Sequence, residues 1–232
     1  MKLNIKIIAI LLLTMPLFTK AQNGGKNIEI TFTNGKSHNH PTFAIWLETM
    51  EGKFVQPLFV TQSLATGTYL HADAGNKQWS RDSGEARRPA TLPYFLHKRN
   101  IKAPDGTYLP TPKKPIPDTY TGATPKQSQN LTLTTDKPLS GRYKLLIEIN
   151  QPWDFNEIWH NNLYVDNVNY LTSAQPSLIY LVEIDFDAPS EIYTLNPIGH
   201  GNPIGEDGKL YTDISGFTTA LQIFKSIKAT VK

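Results

Sequence analysis

Residues 27–33 (Asn-Ile-Glu-Ile-Thr-Phe-Thr) place an apolar side chain at every second position, the period of a strand with one buried face. Residues 43–48 and 54–61 are two further strand-like runs. Met50-Glu51-Gly52-Lys53 joins them as a glycine-containing connection of hairpin type. Such runs resume at 131–135, 143–150, 178–186, 192–196 and 221–231. Lys137-Pro-Leu-Ser-Gly141, ahead of Tyr143, carries turn chemistry, with proline fixing φ and glycine allowing the bend. Short strands separated by such turns, with no long amphipathic helix, predict an all-β fold: an immunoglobulin-like β-sandwich.

The middle of the chain breaks this pattern. Residues 63–130 hold few alternating runs, and prolines crowd the stretch from Pro89 to Pro125. A segment this long without regular structure is uncommon inside a compact domain and is usually functional or disordered. Trp79, Tyr94, Phe95, Tyr108 and Tyr120 argue against disorder, because disordered segments are poor in aromatics. The expectation is a long, ordered, loop-rich insertion between the third and fourth strands, packed on one edge or end of the sandwich, with a helical turn or two within 86–97.

The N-terminus adds a location. Two lysines precede an almost wholly apolar run over residues 7–18, and Thr19-Lys20-Ala21 follows. This is the pattern of a secretory signal peptide, too short in its apolar part to span a bilayer. Residues 1–21 therefore read as a signal cleaved after Ala21, leaving 22–232 as a single β-sandwich domain in the periplasm, with no membrane insertion after cleavage. Of the 23 Lys and Arg residues, three (Lys2, Lys6, Lys20) fall within 1–21, which holds no acid; the remaining 20 balance 20 Asp and Glu. A neutral mature chain offers no electrostatic ground for a nucleic-acid partner. The absence of cysteine excludes disulfides, thiolate metal sites, iron–sulfur clusters and c-type haem.

The segment with the most chemistry is Asp118-Thr119-Tyr120-Thr121-Gly122-Ala123-Thr124. It resembles the Asp-x-x-Ser/Thr-Gly-Ala-Ser/Thr sequence on which exported flavoproteins accept FMN. There a separate magnesium-dependent FMN transferase forms a phosphoester to the final hydroxyl. The resemblance implies Thr124 as the attachment site, Gly122 and Ala123 as the small residues giving close backbone access, and Asp118 as the upstream recognition acid. Pro125 departs from the usual continuation. A wider resemblance runs through Phe43-Ala-Ile-Trp-Leu-Glu48, Arg88-Pro89 with Leu92-Pro93 and His97-Lys-Arg99, Gly141-Arg-Tyr143, Gln151-Pro-Trp-Asp-Phe-Asn-Glu157 and Gln175-Pro-Ser-Leu178. These are similar to a family of predicted periplasmic proteins of unknown function, found beside PepSY-type membrane proteins and FMN transferases. That implies an accessory role in an envelope redox or metal-uptake system, without established catalytic residues.

Two other stretches carry candidate ligand groups. Arg87, Arg88, Tyr94 and His97, with Arg81, Lys98 and Arg99 nearby, combine guanidinium forks for phosphate with aromatic faces for a flat ring; they read equally as a solvated basic loop. Trp153, Asp154, Asn156 and Trp159 form an aromatic, amide- and acid-rich loop that suits a ligand or partner, or caps the core. The six histidines show no metal-ligand spacing, and no Gly-x-Ser-x-Gly or His-Glu-x-x-His motif is present. The sequence thus predicts an exported redox accessory rather than an enzyme. A cofactor-free binding or adaptor module is the alternative, and a carbohydrate-handling sandwich a third reading.

Overall fold

The computed structural model describes residues 24–75, 78–117, 120–123 and 128–232. The expected cleavage point after Ala21, and Asp118 and Thr124 of the flavin-type motif, lie outside the described residues. Every expected strand is present: β1 (Asn27–Asn34), β2 (Thr42–Glu48) and β3 (Phe54–Thr61) before the insertion. After it come β9 (Gln129–Thr134), β10 (Arg142–Asn150), β11 (Leu178–Asp185), β12 (Tyr193–Thr194), β13 (Asn196–His200) and β14 (Phe224–Val231). The insertion itself contributes helices α1 (Gln62–Thr66) and α2 (Pro93–Arg99) and strands β4 (Thr68–Tyr69), β5 (Asp73–Gly75), β6 (Gln78–Trp79), β7 (Gly84–Glu85) and β8 (Thr121–Gly122). A short α3 (Val168–Ser173) was not anticipated; Asn167 caps it, accepting from the N–H groups of Asn169 and Tyr170.

The strands form a β-sandwich of two main sheets, one ordered β12-β14-β1-β9 and the other β13-β11-β10-β2-β3-β8. Their facing sides share one core, with Ile28, Ile30 and Phe32 of β1 against Phe43, Ile45 and Leu47 of β2 and Leu145, Ile147 and Ile149 of β10. These are the alternate residues that period-two patterning assigns to one face.

The other face of the six-stranded sheet is buried too, so the insertion does not lie at an edge or end. Ala44 and Trp46 of β2, Val60 of β3, Leu146 of β10 and Ile179 of β11 form a second core with Leu64, Ala65, Leu92, Phe95, Leu96, Leu109 and Ile116 of the insertion. The physical reason is visible in β2, where Phe-Ala-Ile-Trp-Leu is apolar at both parities. A strand apolar on both faces needs cover on both. Trp46 has no exposed surface, and its indole N–H donates to the buried Glu48 carboxylate at 2.9 Å, which also pairs with Lys98 at 3.3 Å.

The clamp between the sheet and this layer is Glu148, two residues before the end of β10 and wholly buried. It accepts hydrogen bonds from the first-turn N–H groups of α2, Tyr94 at 3.2 Å and Phe95 at 2.6 Å, and from the Ser177 hydroxyl at 2.5 Å. Burial pushes its pKa from 4.5 up to about 7, against the opposing pull of those three donors. A carboxyl whose pKa is raised by folding binds its proton more tightly in the native state, so its stabilising contribution is complete below the unfolded value near 4.5. It is lost as pH rises through about 7, a change of at most about 3 kcal/mol. Glu148→Gln is therefore expected to flatten the stability profile between pH 5 and 8. It should also lower stability at pH 5 by about 1–3 kcal/mol, because the amide turns a donor toward one of the three donors. Urea unfolding at both pH values checks this; wild type and variant losing stability in parallel would contradict it.

Candidate functional site

Tyr69 belongs to β4, which follows α1 after Gly67 turns the chain at φ +67°. β4 pairs with β7, and the small β5–β6 ribbon between them brings Trp79 over the same spot. β7 leads into Ala86-Arg87-Arg88. The Arg88 guanidinium enters a cage of three rings, its central carbon 4.1 Å from the Tyr69 centroid, 5.1 Å from Trp79 and 5.3 Å from Trp153. Trp153 comes from the far side, on the loop leaving β10. Arg88 Nη2 donates to the His71 carbonyl at 3.0 Å.

Arg88 is 3% exposed, and among the described residues no carboxylate comes within 4.0 Å of it. Its Nε is buried without a hydrogen-bond partner. Burial draws its pKa down from the ordinary arginine value, while the charge of Asp73 acts in the opposite direction. Arginine stays cationic through such a shift. The cage contributes about 0.5–2 kcal/mol per well-placed ring, but desolvating an unpaired cation costs several kcal/mol and an orphaned donor about 1–3 more. A residue selected for stability alone would have an acid beside it.

The cage opens into a cleft of about 520 Å³, lined by His40, Thr42, Thr61, Ser63, Leu70, His71, Ala123 and Trp153 among others. Gln151 ties two of its walls together, accepting from Asn39 N–H at 2.7 Å and donating to the Ser37 carbonyl at 3.0 Å. His71 Nδ1 lies 2.9 Å from the Ser80 carbonyl; since a carbonyl only accepts, Nδ1 carries a proton, and Nε2 is the nitrogen left free of that bond. Four described non-glycine residues have φ in the left-handed region, and two of them, His40 (+52°) and Trp153 (+57°), line this cleft. Such strain persists only where surrounding contacts enforce it, and it concentrates at binding sites.

The sequence-derived candidates divide sharply. Arg88, Trp153 and Ala123 meet in the cleft. Gly122 lies beside it on the sheet edge, with β8 parallel to β3; a Cβ there would stand 2.7 Å from the Phe59 ring, so packing already demands glycine. Arg87 points elsewhere, pairing with Asp105 at 2.5 Å and reaching the Thr107 hydroxyl. Tyr94 packs on Trp46 with Lys98 over its ring, and His97 bonds the Pro93 carbonyl at 2.8 Å and stacks on Tyr108. Asp154, Asn156 and Trp159 staple the 214–219 segment: Asp154 takes the Thr219 hydroxyl at 2.5 Å, Asn156 donates to the Gly216 carbonyl at 2.9 Å, and Trp159 packs on His200 and Phe217. Sequence reasoning missed Tyr69, His71 and Trp79, whose only signal was an aromatic density upstream of Arg88.

Among the described residues no group of three or more His, Asp or Glu could hold a metal ion, and no helix is long and apolar enough to cross a membrane. No family model, curated protein or solved structure matches the chain.

If Arg88 serves the cleft rather than the fold, Arg88→Met should leave stability within about 1 kcal/mol of wild type, because relief of desolvation offsets the lost ring and hydrogen-bond contacts. Urea denaturation decides; a loss above about 3 kcal/mol would make Arg88 a structural residue.

Proposed function

We propose that this is an exported periplasmic accessory protein of an envelope redox or metal-uptake system, carrying FMN as a phosphoester on Thr124. It works with a PepSY-type membrane electron-transfer protein and receives its cofactor from a separate FMN transferase; it is not an enzyme in its own right. The observation that carries the reading is Ala123 in the wall of the arginine cleft. Thr124 is the next residue in the sequence. The residues of that cleft suit the group. Its volume falls in the range of small-molecule sites, about 300–1,000 Å³. Aromatic faces stack on a flat ring, and a fixed cation tunes a flavin held near it. Bound FMN supplies one- and two-electron transfer, which a cysteine-free exported chain cannot supply from its own side chains. The basic, apolar N-terminal run supports export.

A second reading, a cofactor-free binding or adaptor module, is favoured by Ile158, Leu163 and Val165, which are 57%, 41% and 60% exposed on the loop between β10 and α3. Large apolar side chains left exposed along one loop are a mark of a protein contact. Excising the insertion cannot test it, because that would strip the second core from Trp46.

Co-expression with an FMN transferase followed by intact-mass measurement tests the first reading. The expected product begins at Gln22 and is heavier by one FMN phosphoester, and Thr124→Ala removes that increment. Unmodified wild-type protein would contradict the covalent cofactor, and a chain retaining residues 1–21 would contradict export. For the adaptor reading, Ile158→Ser with Val165→Ser should abolish pull-down of the PepSY-type protein while Thr124→Ala leaves it intact.

A further inference from the structure

We propose that the Arg88 cleft is a reversible binding site for a small planar organic monoanion, of the aromatic carboxylate class. This rests on the cleft and not on Thr124: the free anion takes the cleft in the chain that carries no flavin, and a tethered flavin seated there would exclude it.

Three features select the ligand. The first is charge. Arg88 is 3% exposed and meets no described carboxylate within 4.0 Å. Asp73, whose charge acts on it, is a solvent-exposed residue of β5. The described side chains therefore leave the positive charge of the cleft unbalanced, in a low-dielectric setting where an anion is worth most. The second is the number of charges. Among the described residues, Arg88 is the only arginine or lysine lining the cleft. One guanidinium carries one positive charge, which balances a carboxylate in full and a dianionic phosphate ester only in half. The third is shape. Trp153 and Tyr69 line the cleft and Trp79 completes the cage behind them, so the apolar part of the ligand meets ring faces and edges. In its neutral form His71 offers Nε2 as an acceptor for a ring hydroxyl or N–H. The volume of about 520 Å³ admits a one- to three-ring compound and no macromolecule.

Left-handed backbone at His40 and Trp153 gives the same answer from a different direction. Both residues line the cleft, and a residue other than glycine in that region costs about 1–2 kcal/mol. The fold holds these two wall residues strained although neither belongs to either hydrophobic core.

The test uses the mature Thr124→Ala protein, which cannot carry the tethered group, at pH 8. Isothermal titration compares 2-naphthoate with 2-naphthalenemethanol, equal in shape and uncharged, and with inorganic phosphate. Naphthoate should bind about tenfold or more tightly than the alcohol, as one charge-assisted hydrogen-bonded contact predicts, and phosphate should bind more weakly than naphthoate. Arg88→Met should remove the difference between naphthoate and the alcohol, and Trp153→Leu should weaken both by about fivefold to tenfold. Trp153 is a partly exposed loop residue, so its variant remains informative should Arg88→Met fail to fold. Equal affinities for naphthoate and the alcohol, naphthoate binding untouched by Trp153→Leu, or no naphthoate binding up to millimolar concentration would each overturn the proposal. Loss of the FMN mass increment alongside intact naphthoate binding would remove only the covalent reading.

Discussion

Glu148 has no exposed surface, and its two oxygens take the Tyr94 and Phe95 N–H groups of α2 and the hydroxyl of Ser177. That carboxylate is the point at which the insertion is fixed to the sheet. With α2 held there, Leu92, Phe95 and Leu96 cover the apolar outer face of β2 and β10. Ser173 of α3 reaches the Ala90 carbonyl at 3.1 Å, gripping the chain between α2 and Arg88. The position of the guanidinium in the cleft thus descends from a buried acid on the neighbouring strand. Apolar burial supplies most of the stabilising free energy in such a layer, but it is non-directional; the hydrogen bonds to Glu148 give it a register.

The same layer makes the site. A two-sheet sandwich without its insertion would offer only loop ends, whereas here a third layer meets the sheet's edge and encloses a cleft between α1, β4, Ala123 and the loop leaving β10. Two arginines adjacent in sequence show how finely the fold separates roles. Arg87 reaches an aspartate and a threonine in a half-exposed setting. Arg88 is held among aromatic rings with an unsatisfied Nε. An exposed pair of that kind contributes little to stability, and a buried unpaired cation opposes it. The second arrangement points to a partner outside the chain.

Much of the sandwich was legible in the chain, because Ile28, Ile30 and Phe32, and their counterparts in β9, β10 and β14, declare one buried face by simple alternation. The second core was written there as well. Phe43-Ala-Ile-Trp-Leu47 is apolar at both parities, which marks a strand covered on both sides. β13 was not legible: Pro197 and Gly199 are poor strand residues, and the ladder accommodates them with an irregular register against Ile179 and Tyr180. Within the site, Arg88, Ala123 and Trp153 each belonged to a different candidate segment. Their convergence depends on the short β4–β7 pairing and on β8 docking parallel to β3. Two-residue strands like these leave no periodicity to read. Tyr94 and His97 looked like ring and phosphate contacts in sequence, but a helix places them on faces turned to Trp46 and Tyr108.

The central claim is that the unbalanced charge of Arg88 exists for a ligand. A crystal structure of the Thr124→Ala protein grown with 2-naphthoate tests it most directly. The carboxylate is expected within hydrogen-bonding distance of the Arg88 guanidinium, with the naphthyl ring against Trp153. Naphthoate bound elsewhere, or an internal carboxylate paired with Arg88 in that crystal, would contradict it.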